Sequence, residues 1–283
     1  MLNKNVQTFI GCDCEYEDAS IVLYGVPFDS TTSFRPGTRF ASSAIRSDSF
    51  GIETFSPYQD KDLLDMNVFD SGDLELPFGS PDTALEMIEE RATTILDDGK
   101  LPFMIGGEHL VTLGAVRAVA KKYEDLCIIH FDAHADLRED YLGVKLSHAC
   151  VLRRCHDILG DGRIFQFGIR SGDKDEFAFA KEHTCMTRFD FTNLEQTIEK
   201  LKGKPVYFTL DLDVIDPSEF PGTGTQEAGG VSFVSLLNAI KEVSKLNIVG
   251  LDMNELSPVY DPSGRSTALA CKLLREILLY IGG

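Results

Sequence analysis

The chain runs in short apolar blocks separated by longer stretches of helical spacing. The apolar blocks are ASIVLYGVPF (19–28), the centre of DMNVFDSGDLEL (65–76), LPFMIGG (101–107), LCIIHFDAH (126–134), GRIFQFGIR (162–170), KPVYFTLDLDVI (204–215) and LNIVGLDMNEL (246–256). Such runs, nearly continuous rather than alternating, predict strands buried on both faces. Between them lie SPDTALEMIEERATTILDDG (80–99), LVTLGAVRAVAKKY (110–123), DKDEFAFAKEH (173–183), VSFVSLLNAIKEVSK (231–245) and STALACKLLREILLYI (266–281), which predict helices. The first of these carries its own signals: Ser80 as a cap, Pro81 in the first turn and Gly99 as a stop. Strand–helix alternation predicts an α/β fold with a mainly parallel sheet covered on both faces. No repeat and no proline-rich linker interrupts it, so residues 1–283 are expected to form one domain.

Bulk composition narrows the partners. With 283 residues, 43% hydrophobic and 25% charged, the chain has the balance of a soluble globular protein long enough for a sizeable core. A formal charge of −18 argues against nucleic acid or an anionic membrane as partner, and is compatible with a cationic substrate. The seven cysteines are scattered without a C-x-x-C pair, which argues against a disulfide scaffold and a structural zinc knuckle. Neither a leader-like N-terminus nor a run of eighteen apolar residues is present, so the cytoplasm is the expected location.

The chemistry gathers where strands end. Gly106, Gly107, Glu108 and His109 follow one strand; Asp132, His134 and Asp136 follow the next. Asp211, Asp213 and Asp216 follow VYFTL, and Asp252 and Glu255 follow NIVGL. In an open parallel sheet the carboxyl ends share one edge, where ligands bind. That many carboxylates cannot converge without added positive charge, and Arg138 and Lys145 nearby are too few. An oxygen-rich set with two imidazoles and no thiolate suits manganese, with iron, nickel, cobalt or zinc as substitutes. Six ligand candidates suit two ions sharing carboxylates, an arrangement that yields a metal-bridged hydroxide near neutral pH. Each piece alone has a plainer reading. D-x-H-x-D can be the polar face of an exposed strand, Asp216-Pro217 a turn, His109 a helix cap, Glu255 a solvated loop residue and His148 an ordinary loop histidine. Their joint placement favours the metal.

GGEH (106–109), DAHAD (132–136), DLDVIDP (211–217), PGTGTQEAGG (221–230) and NELSPVYD (254–261), with GVPFDSTTSFRPGTRF (25–40), resemble the successive signatures of the ureohydrolase family of arginases and agmatinases. The resemblance runs from about residue 20 to the last helix. It implies a three-layer α/β/α fold and two manganese ions per subunit that hydrolyse a guanidino group to urea and an amine. It further implies that His109, Asp132, Asp136 and Asp211 hold one ion, and that His134, Asp132, Asp211 and Asp213 hold the other. Glu255 matches the guanidinium-binding glutamate, and His148 a loop histidine that contacts substrate and shuttles protons. Asp136 or His148 would move the proton that the departing amine needs. A homotrimer or hexamer is also implied.

Substrate choice rests on finer features. Arginases of the family usually carry S-G-N-x-H-G after D-x-H-x-D; here LREDYLGVKLSHAC lacks that Asn and the Gly after the histidine, and resembles the L-S-H loop of bacterial agmatinases. TQEAGG is also closer to agmatinases, and Glu227 near the rim is a candidate for agmatine's second cation. The expectation is therefore an agmatinase, with guanidinobutyrase, arginase and formimidoylglutamase as alternatives on the same scaffold. A binuclear metallophosphoesterase would want a downstream G-N-H-E that the chain does not have. A non-catalytic homologue is disfavoured because every ligand and Glu255 are present.

Overall fold

The computed structural model describes residues 7–282. The first residues of the N-terminal stretch, and both ends of the expected 1–283 domain, lie outside it. Among the described residues there are ten strands: β1 (Ile21–Gly25), β2 (Phe55–Ser56), β3 (Lys61–Asp62), β4 (Val68–Asp73), β5 (Leu101–Ile105), β6 (Cys127–Phe131), β7 (Ile164–Ile169), β8 (Cys185–Arg188), β9 (Pro205–Asp211) and β10 (Asn247–Asn254). The helices are α1 (Ala41–Ser49), α2 (Pro81–Asp97), α3 (Thr112–Lys122), α4 (Val151–Leu159), α5 (Lys174–His183), α6 (Leu194–Leu201), α7 (Phe233–Val243) and α8 (Arg265–Ile281). Eight strands form one sheet in the order β4-β1-β5-β10-β9-β6-β7-β8, and every pairing in it is parallel.

The apolar runs explain the three layers. Successive strand residues point to opposite faces, so in β6 Ile129 and Phe131 join a core with α1, α6, α7 and α8, while Ile128 joins the core beneath α2, α3, α4 and α5. Both faces are therefore dry, which is why the sequence shows near-continuous apolar blocks rather than alternation. Among the described residues no helix is long and apolar enough to cross a membrane.

All seven expected strands and all five expected helices are present, most of them trimmed by a few residues at the ends. Ser80 does precede α2, but its hydroxyl bonds the Thr83 hydroxyl at 2.9 Å rather than a backbone N–H. Helices α1, α4 and α6, strand β8 and the β2–β3 hairpin are additional. Strand β8 (CMTR) is a short, polar, half-exposed edge strand, and α1 (ASSAIRSDS) has few apolar positions, so neither stands out as a pattern. All seven cysteines are free, consistent with the absence of a disulfide scaffold.

Candidate metal centre

The carboxyl ends of β5, β6, β9 and β10 lie side by side in the middle of the sheet. Each delivers part of one buried polar cluster. His109 follows β5, but it does not cap α3 with its ring: the side chain is buried and turned towards β6 and β9. Its Nδ1 lies 3.1 Å from Asp132 Oδ2, 3.1 Å from Asp136 Oδ2 and 3.4 Å from Asp211 Oδ2. His134 Nδ1 lies 3.0 Å from Asp213 Oδ2 and 3.5 Å from Asp132 Oδ1. Asp132 thus offers one oxygen to each histidine, from the position expected of a shared ligand.

The tautomer of His109 can be read from its neighbours. Thr209 Oγ1 donates to Asp252 Oδ1 (2.6 Å), so it accepts from His109 Nε2 at 2.8 Å. Asp252 also receives Tyr207 Oη (2.6 Å) and Asn254 Nδ2 (2.7 Å), three donors that mark it as a carboxylate. A neutral His109 therefore turns its Nδ1 lone pair towards three carboxylate oxygens. Such a meeting of acceptors requires a cation. In the bare protein burial works to lower the pKa of this imidazole, but Asp132, Asp136 and Asp211 hold it well above its ordinary value. A metal at the same point would take that proton's place.

The spacing fits as well. Oxygen and nitrogen ligands about 2.1 Å from an octahedral ion stand roughly 3.0 Å apart when adjacent, close to the 3.0–3.5 Å separations around His109 and His134. The carboxylates show the same need for positive charge. Burial and the neighbouring Asp132 push Asp136 up to about 7, and burial with Asp213 pushes Asp211 well above the carboxylate range.

His130, which sits inside β6 and not at its end, also joins the cluster. It lies one strand residue from the motif, fully buried, with Nε2 2.8 Å from Asp132 Oδ2 and Nδ1 3.1 Å from Gln166 Nε2. Distance alone groups it with His109, Asp132 and Asp136 as a possible ligand. The hydrogen bonds argue otherwise. Gln166 Nε2 also donates to Ala135 O (2.8 Å), while its Oε1 accepts from Thr184 Oγ1 (3.1 Å), so the amide is oriented. His130 Nδ1 must accept from it, which leaves Nε2–H to donate to Asp132. His130 thus holds the Asp132 carboxylate in place and would orient it toward an ion rather than ligate the ion itself.

Two site residues hold backbone conformations rare for side chains other than glycine. Asp136 has φ 55° and Glu255 φ 67°, each costing on the order of 1–3 kcal/mol that the surrounding structure must offset. Glu255 Oε1 accepts from His109 N at 2.7 Å, and its own N–H donates to Gly107 O at 3.0 Å. Gly107 is needed here, because a side chain would collide with the Phe28 backbone.

A cavity of about 230 Å³ opens over the cluster, lined by His134, Asp136, Tyr141, His148, Asp211 and Glu255 among others. It is smaller than the roughly 300 Å³ lower end of drug-sized pockets. His148 stands on its wall. Its Nδ1 donates to Thr31 O (3.0 Å), which leaves Nε2 as the acceptor, 3.2 Å from Ser33 Oγ. Thr31 is itself pinned: its N–H and hydroxyl, with the Thr32 hydroxyl, all donate to the buried Glu108 carboxylate. Asp216, Asp252 and Glu227 stand apart from the cavity. Asp216 accepts from Ser218, Gly229 and Gly230 in a turn, Asp252 lies beneath His109, and Glu227 does not line the cavity; its Oε1 accepts from Ser171 Oγ at 2.9 Å.

Comparison with known proteins gives the context. The sequence profile of the Arginase family matches residues 19–280. An agmatinase of Bacillus subtilis (strain 168) is 48% identical over 277 residues, covering 96% of each chain. A guanidinobutyrase of Pseudomonas aeruginosa is 34% identical over 279 residues, covering 94% of this chain and 87% of the relative. A crystal structure of a Clostridium difficile protein superposes with a TM-score of 0.92 at 52% identity, covering 95% of this chain and 99% of that one.

Proposed function

The chain belongs to the arginase family, and from that premise we propose that it is a binuclear manganese agmatinase that hydrolyses agmatine to putrescine and urea. One feature of the cavity carries the choice of substrate. Among its lining residues Arg138 is the single Lys or Arg, and it is already paired with Asp173 at 2.7 Å and Glu176 at 3.5 Å. A substrate carboxylate, as in arginine or a guanidino acid, would find no free cation there. Agmatine has none to place.

His109, Asp132, Asp136 and Asp211 would hold one ion, and His134, Asp132, Asp211 and Asp213 the other. When bound, the pair supplies the Lewis acidity that makes a water nucleophilic near neutral pH. The remaining work belongs to the chain. Glu255 turns one carboxylate oxygen to the His109 N–H and leaves the other for the cationic guanidinium, holding it as its carbon becomes tetrahedral. The water loses a proton and the departing amine gains one, so a carrier must move it between them. Asp136 is buried at the cluster and suited to that transfer. Burial holds His148 down at about 4, so it stands neutral, with its Nε2 lone pair free to take up the water's proton and hand it to the departing amine.

The reading is tested by loading the purified protein with manganese and measuring urea from agmatine, arginine and 4-guanidinobutyrate, with formamide from formimidoylglutamate. Urea from agmatine at the highest kcat/KM supports it. Preference for a carboxylate-bearing substrate overturns the choice of agmatine, and no product from any of the four overturns the enzyme reading. The same preparation on a sizing column tests the trimer or hexamer that we also propose.

A further inference from the structure

The chain has six histidines. Four of them, at 109, 130, 134 and 148, belong to the centre described above. The other two meet elsewhere. His156 Nε2 lies 2.8 Å and His183 Nδ1 2.7 Å from the same oxygen, Asp161 Oδ1. Every histidine that the catalytic cluster does not use is thus aimed at one carboxylate.

Three separate segments build this meeting point. His156 sits in the last turn of α4, His183 is the last residue of α5, and Asp161 lies in the loop after α4. Gly160 and Gly162, both at positive φ, flank Asp161, and the Gly162 N–H donates to His183 O at 2.9 Å. Phe179 holds both rings: it stacks on His183 with centroids 4.3 Å apart and meets His156 edge-on at 4.9 Å. His156 Nδ1 is buried without a partner among the described residues, so Nε2 is the nitrogen the ring presents. The imidazoles are 15% and 31% exposed, whereas Asp161 is 68% exposed, which leaves an open approach from solvent.

We propose that His156, Asp161 and His183 form a peripheral site for a divalent transition ion such as Zn²⁺ or Ni²⁺, distinct from the catalytic centre. Two imidazoles and a carboxylate are the donors such ions favour, with water completing the shell. Ligands about 2.1 Å from a tetrahedral ion stand roughly 3.4 Å apart. The rings are already fixed by Phe179, so the exposed Asp161 need only swing back by several tenths of an ångström.

The site joins two helices that are tied together at their other ends. In the first turn of α4 the Leu152 and Arg153 N–H groups donate to Asp136 O at 3.0 and 3.2 Å. At the start of α5, Glu176 Oε1 accepts from Leu137 N at 2.9 Å. An ion between His156 and His183 would add a direct link at the other end of this pair and stiffen the frame behind Asp136. It binds the folded chain only, so it raises stability by mass action.

The test uses the manganese-loaded enzyme without a purification tag, titrated calorimetrically with Ni²⁺ while bound manganese is assayed. One Ni²⁺ per chain is expected with manganese content unchanged. His156→Gln and His183→Gln should each weaken that binding at least tenfold, and Asp161→Asn should do the same. Ni²⁺ should raise the heat-unfolding midpoint of the parent chain and not that of the double His variant, whose midpoint without Ni²⁺ stays near the parent's. Equal Ni²⁺ binding by the His variants overturns the proposal. So does uptake by the parent only in step with manganese release.

Discussion

His130 and Asp132 share one hydrogen bond of 2.8 Å, and Gln166, on the next strand, decides which of them owns the proton. Because the Gln166 amide donates to His130 Nδ1, the imidazole donates to Asp132 Oδ2. That oxygen also faces His109, so the bond aims a lone pair of the proposed bridging ligand. Removing a partner in this position typically costs about 10–100-fold in metal affinity. We expect Gln166→Leu and His130→Phe to weaken manganese binding by that order in a chelator competition, with much of the activity returning at saturating manganese. Unchanged affinity in both variants would remove His130 from the ligand-orienting role.

The loop at Thr31 joins two parts of the site that are far apart in sequence. Its hydroxyl donates to Glu108 and accepts from the His148 N–H at 3.2 Å, while its carbonyl sets the His148 tautomer. His148→Ala should lower turnover by about 100-fold, the lower end of general acid–base contributions, and leave two manganese ions bound. Thr31→Val should reproduce part of that loss, and Thr31→Ser, which keeps the hydroxyl, should recover it. Equal loss of metal from His148→Ala would show that a ligand had been mistaken for a proton carrier.

His148 also gives a pH signature. Its pKa falls from 6.5 to about 4 on folding, chiefly through burial. The unfolded chain then binds more protons in that window, so this residue's share of stability is present above about pH 6.5 and is lost as pH falls towards 4. Urea midpoints across this range should fall more steeply for the parent than for His148→Ala. Parallel curves would mean that His148 titrates normally in the folded chain.

Glu255 carries the proposed contact with the substrate cation. Glu255→Gln keeps the oxygen that receives the His109 N–H, so the metal-binding turn should stand and metal content should not change. What disappears is the charge opposite the guanidinium, worth about 2 kcal/mol or more in a buried pair, or roughly 30-fold in kcat/KM. A variant with near-parent kcat/KM would exclude Glu255 as the guanidinium anchor.

Much of this site can be read in the sequence because parallel strands carry their functional groups at one end. His109, Asp132, His134, Asp136, Asp211, Asp213 and Glu255 each follow an apolar run, and the sheet order brings β5, β10, β9 and β6 together in space. The groups behind them were hidden for the same reason. His130, Gln166 and Thr209 lie inside the strands, where a polar residue among apolar ones looks like an interruption of the pattern; Asp252 is visible after NIVGL, but it lies inside β10 and supports Thr209 rather than facing the cavity. Only the register, which sets His130 opposite Gln166 and Thr209, gives them partners. Thr31 and Glu108 meet across 77 residues, a contact that spacing cannot announce. Helix α4 was hidden differently: its apolar residues Val151, Leu152 and Cys155 have helical spacing, but Arg153, Arg154 and His156 break the run and only nine residues carry it.

Protons and metal should compete openly at this centre. Burial and the charge of Asp132 raise the carboxyl of Asp136 from 3.8 to about 7, and Asp211 is raised with it. In the metal-free protein these groups hold protons that ligation requires them to lose. Manganese affinity should therefore climb as pH rises from about 5 to about 8, and loading near pH 6 should release protons, seen calorimetrically as a heat that varies with the buffer's ionisation enthalpy. The stability of the metal-free chain should run the opposite way. A carboxyl whose pKa is raised on folding contributes stability below its unfolded pKa, and that contribution is lost as pH climbs through about 7. Chelated protein should then melt at lower temperature at pH 8 than at pH 6, while the loaded enzyme shows no such fall. A buffer-independent heat of loading together with a metal-free midpoint that rises towards pH 8 would mean that Asp136 is ionised before the ion arrives.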